Sequence, residues 1–311
     1  MSGPAPPNAT TALPPAPLHP ATWPVWLALA AAVVLARLPE RLQRWLGCAL
    51  GAALYRLART RRRVVERNIE LCFPELDDAQ RAHLVRRNFG EIGRGAFDFM
   101  RAWWGHLGDL ESRVEWHGLE HLAAARAEGR GVILLSGHFM HFELCGRLLC
   151  QHTRAAAMYR PIRSPALDWA IERGRRRYAE TVFPRDALRP AVRYLRQGGV
   201  LWFAPDQDSL RGDSTFVPFF GRPAWSLTST HQLARLSGAQ VIPFRHRRTA
   251  HGFAIELGTP LADFPGPDPV ADTARVMAEI EAMVRRAPAE YLWLHRRFKR
   301  QPNGTDSPYS G

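Results

Sequence analysis

The sequence contains almost no lysine. Lys299 is the only lysine among 311 residues, so arginine carries nearly all of the positive charge. Lysine and arginine together number 42 against 29 acidic residues, which gives a formal net charge of +13. Such a charge attracts polyanions: nucleic acid, an anionic membrane surface, or an acidic substrate or protein partner. Because no segment matches a nucleic-acid-binding module, we predict no nucleic-acid partner.

Cysteine is scarce too, and the four cysteines form no CxxC pair and no zinc-knuckle spacing. They are Cys48, Cys72, Cys145 and Cys150. In a chain of this length the pattern argues against a disulfide framework and favours reduced thiols facing a cytoplasm. His138, His141 and Glu143 are close in sequence but match no familiar metal-ligand spacing. We therefore predict neither a metal nor another cofactor.

Long apolar runs are also absent. A perpendicular crossing of the hydrocarbon core needs about 20 residues, whereas the uncharged run from Trp23 ends at Arg37. Trp23 and Trp26 at its start are typical of a membrane–water interface. A cleaved signal peptide is the alternative, but no lysine or arginine precedes the run and residues 38–41 (LPER) make a poor cleavage site. We predict an uncleaved membrane-anchoring helix, and whether residues 23–38 cross the bilayer stays open.

The segment after this run, residues 40–63, has apolar residues at helical spacing with arginines around them. It is either an amphipathic helix lying on an anionic bilayer or a core helix with a solvated face. The arginines of residues 59–63 predict, by the positive-inside tendency, that the chain beyond them is cytoplasmic. The predicted organisation is a flexible tail (1–20), an anchor with an amphipathic helix (21–60), a main domain (61–300) and a polar tail (301–311).

The main domain alternates helical and strand patterns. Short apolar runs typical of buried strands are residues 132–135, 155–159, 200–203, 240–244 and 253–257. Helices are predicted at residues 79–104, 118–127, 142–150, 165–177, 189–196, 226–236 and 269–286. Strands that alternate with helices of this length predict an α/β fold with a mostly parallel central sheet flanked by helices on both faces.

The most informative stretch is residues 131–143 (GVILLSGHFMHFE), in which a buried strand runs into Ser136 and Gly137 before a helix begins. His138 thus follows the carboxyl end of a strand, where open α/β sheets usually bind ligands. Within one helix His138 and Glu143 would point about 140° apart, so they can meet only if His138 precedes the helix and folds back. A histidine facing a carboxylate can act as a general base at neutral pH. Because no GxSxG elbow surrounds Ser136, the nucleophile is expected to be a substrate hydroxyl.

This His-x4-Glu pair resembles the HX4D/E signature of the glycerolipid-type acyltransferases. Further segments resemble the lipid A late (secondary) acyltransferases, the lauroyl and myristoyl transferases of Gram-negative bacteria. These segments are residues 67–75 (RNIELCFPE), 159–161 (YRP), 173–175 (RGR), 202–208 (WFAPDQD), 216–220 (FVPFF) and 291–299 (YLWLHRRFK). One departure is residues 176–180 (RRYAE), where the family often has Asn or Ser-Asn-Lys.

The resemblance implies an enzyme on the cytoplasmic face of the bacterial inner membrane. Such enzymes take an acyl chain from acyl carrier protein and esterify a hydroxyl of an acyl chain on a Kdo-bearing lipid A precursor. The expected partners are therefore acyl carrier protein, the lipid A precursor and inner-membrane lipids. An acyltransferase of the same superfamily with another acceptor, such as a phosphatidylinositol mannoside or an aminolipid, is the alternative. A catalytically inactive scaffold is disfavoured by the intact His138 and Glu143.

We predict a direct transfer in which His138 removes the acceptor proton and Glu143 orients His138. Arg173 or Arg175 is expected to bind the oxyanion or a substrate phosphate, although a charge-rich helix end can simply be solvated. For Arg160, after a predicted strand, the same role and a structural salt bridge are both open.

Two further predictions concern substrate contacts. Asp206 follows a strand at the place where related acyltransferases carry an acidic substrate-binding motif, and we predict the same role for it. Trp202 and residues 216–220 are candidates for lining an acyl groove, although aromatic residues at such positions often belong to the core.

Overall fold

The computed structural model describes residues 15–208 and 212–309, apart from the side chain of Asn303. The ends of the two predicted tails, residues 1–14 and 310–311, lie outside the described residues. The strands, in chain order, are β1 (Val114–His117), β2 (Val132–Leu135), β3 (Ala156–Tyr159), β4 (Thr181–Pro184), β5 (Val200–Phe203), β6 (Ser214–Phe219), β7 (Arg222–Leu227), β8 (Gln240–Arg248) and β9 (Phe253–Leu257). The helices are α1 (Trp23–Leu35), α2 (Glu40–Leu57), α3 (Arg59–Cys72), α4 (Asp78–Trp104), α5 (Leu119–Ala127), α6 (Phe142–Leu149), α7 (Pro165–Arg175), α8 (Leu188–Arg196), α9 (Ser229–Ser237) and α10 (Pro269–Arg286).

Seven of these strands form one sheet in the order β1-β9-β8-β2-β5-β3-β4, and β6 and β7 form a separate antiparallel hairpin. Within the seven-stranded sheet the neighbouring strands are parallel except for β8 and β9. The prediction of a mostly parallel α/β sheet is therefore confirmed.

The central strand β2 is buried on both faces of the sheet, since all four of its residues are fully buried. Side chains alternate along a strand, and Ile133 and Leu135 join one hydrophobic core while Val132 and Leu134 join another. Helices α3, α8, α9 and α10 contribute to the first core, and α5 and α6 contribute to the second. The predicted cover of helices on both faces is confirmed.

Helix α2 packs closely along α4 because glycines occupy the contact. A Cβ atom on Gly93 would lie 2.0 Å from the Gly47 carbonyl oxygen, and one on Gly51 would lie 2.3 Å from the Phe89 carbonyl oxygen. The other side of α2 exposes large apolar side chains, including Trp45, which is 65% exposed. One face of α2 thus belongs to the core, as the second interpretation of the amphipathic segment requires, and the contact of the other face with a bilayer stays a prediction.

Several boundaries differ from the predictions. Residues 40–63 are not a single helix, because Ala58 has a non-helical backbone (φ −86°, ψ 56°) that separates α2 from α3. Strands β1, β4, β6 and β7 were not predicted, and β8 continues four residues beyond the predicted end at Phe244, to Arg248. Within the described part of the chain, no helix is both long enough and apolar enough to cross a membrane.

Candidate active site

The candidate site lies at the carboxyl end of β2, where His138 follows Ser136 and Gly137. The neighbouring parallel strand β5 ends at the same edge and is followed by Asp206. Nδ1 of His138 lies 2.5 Å from Oδ1 of Asp206, and the His138 backbone N–H donates to Oδ2 at 2.9 Å. One carboxylate thus holds both the backbone and the ring of His138. The His138 side chain remains 24% exposed, so a substrate can reach it.

Asp206 is completely buried and accepts a third hydrogen bond, from the Tyr291 hydroxyl at 2.7 Å. Burial alone would raise the pKa of this carboxyl group. The charge of His138 and the donated hydrogen bonds outweigh burial, so the pKa of Asp206 lies well below its ordinary value. Asp206 therefore stays ionised at neutral pH and favours the His138 tautomer with the proton on Nδ1, which leaves Nε2 free to accept a proton.

The C-terminal segment of residues 289–293 holds the motif in place. The Leu292 N–H donates to the His138 carbonyl oxygen, and the Met140 N–H donates to that of Glu290. The Asn88 side chain in turn donates to the backbone carbonyl oxygens of Ala289 and Tyr291, both at 2.8 Å. No sequence pattern points to a chemical role for Tyr291, although this residue opens one of the segments that carry the family resemblance.

The predicted contact between Glu143 and His138 is not what the structure shows. The Glu143 carboxylate accepts from Arg175 Nε and Nη2 at 2.8 and 2.9 Å, from Trp103 Nε1 at 2.7 Å and from the Tyr178 hydroxyl at 2.5 Å. The physical reason is that residues 138–140 are paired with the C-terminal segment, so the chain does not fold back over the first turn of α6. Asp206, expected to contact substrate, occupies the position predicted for Glu143.

Glu143 and Arg175 form a buried ion pair, with side chains 2% and 11% exposed. Burial alone would raise the pKa of Glu143, but the Arg175 charge and the donated hydrogen bonds bring it below its ordinary value. Glu143 is therefore a carboxylate fixed by α7, α4 and Tyr178. Trp103 and Tyr178 carry no sequence signal for this contact, because they belong to no motif and lie far from Glu143 along the chain.

The three arginines predicted to bind oxyanion or phosphate occupy different environments. Arg175 is buried against Glu143, whereas Arg173, on the same helix, is exposed and lies over the Trp169 ring at 5.1 Å. Arg160 is exposed directly after β3 and makes no hydrogen bond or ion pair with another described residue. The structure thus separates Arg175 from the two arginines that are open to a substrate.

The aromatic residues predicted to line an acyl groove lie in two different parts of the structure. Trp202, on β5, stacks on Phe142 with ring centroids 5.1 Å apart, and both rings lie edge-on to the His138 ring at about 6 Å. Phe219 and Phe220 are buried in the core near Phe298 and Trp293. Only Trp202 of this group borders the candidate catalytic histidine among the described contacts.

His141 belongs to a different cluster from His138. Its ligand atoms, those of Cys145 and those of His246 lie within 4.8 Å of one another, and all three residues are buried. Burial lowers the pKa of His141 well below its ordinary value and that of His246 to about 3. Their rings pack against Phe139, the surroundings expected for neutral core histidines.

Residues 13–300 match the family model described as bacterial lipid A biosynthesis acyltransferase. The lipid A biosynthesis lauroyltransferase of Escherichia coli K12 is 35% identical over 306 residues, which cover 97% of this chain and 99% of that protein. The lipid A biosynthesis palmitoleoyltransferase of the same organism is 34% identical and covers 94% of this chain and 96% of its own length. The myristoyltransferase of the same organism is 28% identical, over 94% and 91%.

Among solved structures, the 1-acyl-sn-glycerophosphate acyltransferase PlsC from Thermotoga maritima aligns with a TM-score of 0.40 and 16% sequence identity. The alignment covers 86% of this chain and 99% of PlsC.

Proposed function

Because the chain belongs to the bacterial lipid A biosynthesis acyltransferases, we propose that it moves a fatty acyl chain from acyl carrier protein to a hydroxyl of an acyl chain on a Kdo-bearing lipid A precursor. The observation that carries the proposal is the His138–Asp206 pair. It places an oriented, partly exposed base at the carboxyl edge of the sheet, with no serine elbow that would supply an enzyme nucleophile.

In the proposed reaction, Nε2 of His138 removes the proton of the acceptor hydroxyl while that oxygen attacks the thioester carbonyl carbon. The resulting tetrahedral oxyanion collapses, the carbon–sulfur bond breaks, and the imidazolium returns the proton to the departing thiolate. The products are an ester and the free carrier thiol. Asp206 fixes the ring and stabilises the imidazolium. Tyr291 donates to the Asp206 oxygen that also accepts from the His138 backbone.

The remaining predicted residues take supporting roles in this proposal. Arg160 and Arg173 are exposed cations and are proposed to bind the oxyanion or a phosphate of the substrate. Glu143 and Arg175 are proposed to act as positioning residues that join α6 to α7, because Nε and Nη2 of Arg175 both donate to the Glu143 carboxylate. Glu143 would then affect the reaction through the position of α6.

We also propose that the N-terminal helices rest on the cytoplasmic face of the inner membrane. Most of the exposed large apolar side chains of the described residues lie between residues 18 and 57. They are Leu18, Trp23, Leu27, Val34, Leu42, Trp45, Leu50 and Leu57. Beside them, α3 opens with the arginines of residues 59–63. An apolar face with adjacent cations suits an anionic lipid surface.

A transfer assay with purified full-length protein tests the proposal. Acyl carrier proteins loaded with C10 to C16 chains and a Kdo-bearing tetra-acylated lipid A precursor are the substrates, and mass spectrometry reads the product. We expect a mass gain of one acyl chain, lost in His138→Ala but retained in His83→Ala, which removes an exposed histidine of α4.

Other results would contradict the proposal. Acylation of a phosphatidylinositol mannoside or an aminolipid in place of the lipid A precursor would identify another acceptor. Absence of product with every donor, from folded protein, would exclude the reaction, and full activity of His138→Ala would exclude His138 as the base.

A further inference from the structure

We infer that the hydrocarbon chain of the donor lies in an apolar pocket between α6 and β3, and that Gly146 determines the chain length that fits. The inference rests on the proposed function, because it assigns an acyl chain to the site beside His138. One wall of the pocket is formed by Phe142 and Gly146 of α6 and by Cys150, which caps the C-terminal end of this helix. These residues are four apart and therefore lie above one another on the helix.

The opposite wall is built from small residues. Ala155, Ala156 and Ala157 at the start of β3 and Ala179 after α7 line it. Glu143, Arg175 and Tyr178 also line this pocket, and Arg175 and Tyr178 both donate hydrogen bonds to the Glu143 carboxylate. The surface that these side chains present to the pocket is therefore mainly carbon, and it suits a ligand without polar groups.

The position of the pocket relates it to the reaction. Phe142 and Trp202 stack on each other and line the pocket. The same two rings lie edge-on to the His138 ring, with centroids 6.0 and 6.2 Å from it. A thioester carbonyl group placed at His138 would therefore lie next to the edge of this pocket. The methylene chain of the acyl group can then pass along these two rings into the pocket.

Gly146 is the position at which this pocket can be shortened with least disturbance. A Cβ atom built on Gly146 would meet no other atom within 4 Å. A side chain there would occupy open space of the pocket without displacing its walls. Gly90 in α4 shares this property and lies outside the pocket, so it provides a matched control for replacing a helical glycine.

The experiment is a donor-length profile for wild type, Gly146→Ala, Gly146→Leu and Gly90→Leu, with acyl carrier proteins carrying C8 to C16 chains. We expect Gly146→Leu to lower kcat/KM for the preferred donor by about tenfold or more, because a chain that can no longer bury two methylenes loses that much affinity. Shorter donors should keep near wild-type kcat/KM, Gly146→Ala should fall between, and Gly90→Leu should keep the wild-type profile.

A second measurement does not depend on the acceptor. Native mass spectrometry of the full-length protein with free fatty acids of C8 to C16 should show the same shift to shorter chains in Gly146→Leu. If wild type transfers acyl chains and the Gly146 variants keep its profile in both measurements, the pocket assignment is overturned while the proposed function stands. If no transfer occurs but the bound fatty acid shortens in Gly146→Leu, the proposed function fails and the pocket assignment holds.

Discussion

At the scale of single residues, the buried carboxylate of Asp206 fixes the orientation of His138. The Asp206 carboxylate accepts hydrogen bonds from the His138 backbone N–H, from the His138 ring Nδ1 and from the Tyr291 hydroxyl, and it has no exposed surface. An amide at this position would keep the shape of the side chain but remove the charge that is proposed to stabilise the His138 imidazolium. We therefore expect Asp206 to act through its charge as well as through its geometry.

We expect Asp206→Asn to lower kcat by about 100-fold or more with little change in KM, since general base catalysis contributes about 10²–10⁴-fold. Steady-state kinetics with the preferred donor would measure it. Asp186→Asn, which alters an exposed carboxylate beyond β4, should retain wild-type kcat. Equal activities of the two variants would show that His138 does not depend on Asp206.

At the scale of elements, the Glu143–Arg175 pair joins the first turn of α6 to the last turn of α7. Removing one member of a buried pair leaves an uncompensated charge, at a cost of about 3–5 kcal/mol. We expect Arg175→Ala to lower the free energy of unfolding by about this amount. Arg173→Ala, on the same helix but exposed, should change it by less than about 0.5 kcal/mol.

Chemical denaturation of the two variants separates a positioning role from direct substrate binding by Arg175. A stable Arg175→Ala protein that has lost activity would indicate that Arg175 binds substrate, as its place in the Arg-Gly-Arg segment first suggested. A destabilised Arg175→Ala protein would instead show that Arg175 holds α6 against α7.

The same elements explain what the sequence could and could not predict. The buried strands β2, β5 and β9 are nearly continuous apolar runs and were predicted accurately, whereas β1 and β4 lie at the edges of the sheet with only part of their surface buried. Sequence reasoning also placed Asp206 at a strand end. What it lacked was the strand order, because only the pairing of β2 with β5 brings Asp206 to His138.

For Glu143, proximity in sequence was misleading. Only four residues lie between Glu143 and His138, but this backbone is held against residues 289–293 by long-range hydrogen bonds. These contacts depend on where Tyr291 and Leu292 lie in the folded chain, and no local sequence pattern near His138 predicts that position. The family resemblance pointed to the segment that contains His138 and Glu143. Only the folded structure shows which carboxylate contacts His138.

At the scale of the whole molecule, the exposed apolar side chains are concentrated at one end of the chain. On α2, Gln43, Gly47 and Gly51 face α4 and are buried, so Trp45 projects to the opposite side and is 65% exposed. Outside residues 18–57, the exposed large apolar side chains of the described residues are Ile162, Leu236 and Val270. This asymmetry predicts which surface contacts lipid.

We expect the double variant Trp45→Ser/Leu57→Ser to bind anionic vesicles at least about tenfold more weakly than wild type, because a fully buried large apolar side chain contributes about 1.5–3 kcal/mol. Co-sedimentation with phosphatidylglycerol-containing vesicles measures this. Leu236→Ser/Val270→Ser should bind as wild type does, since these exposed side chains lie on α9 and α10. If both double variants lost binding equally, the apolar face of the N-terminal helices would not be the lipid contact. If only Trp45→Ser/Leu57→Ser lost binding, the apolar face of the N-terminal helices would be the lipid contact. Helix α2, which packs closely against α4, would then connect that contact to the rest of the fold.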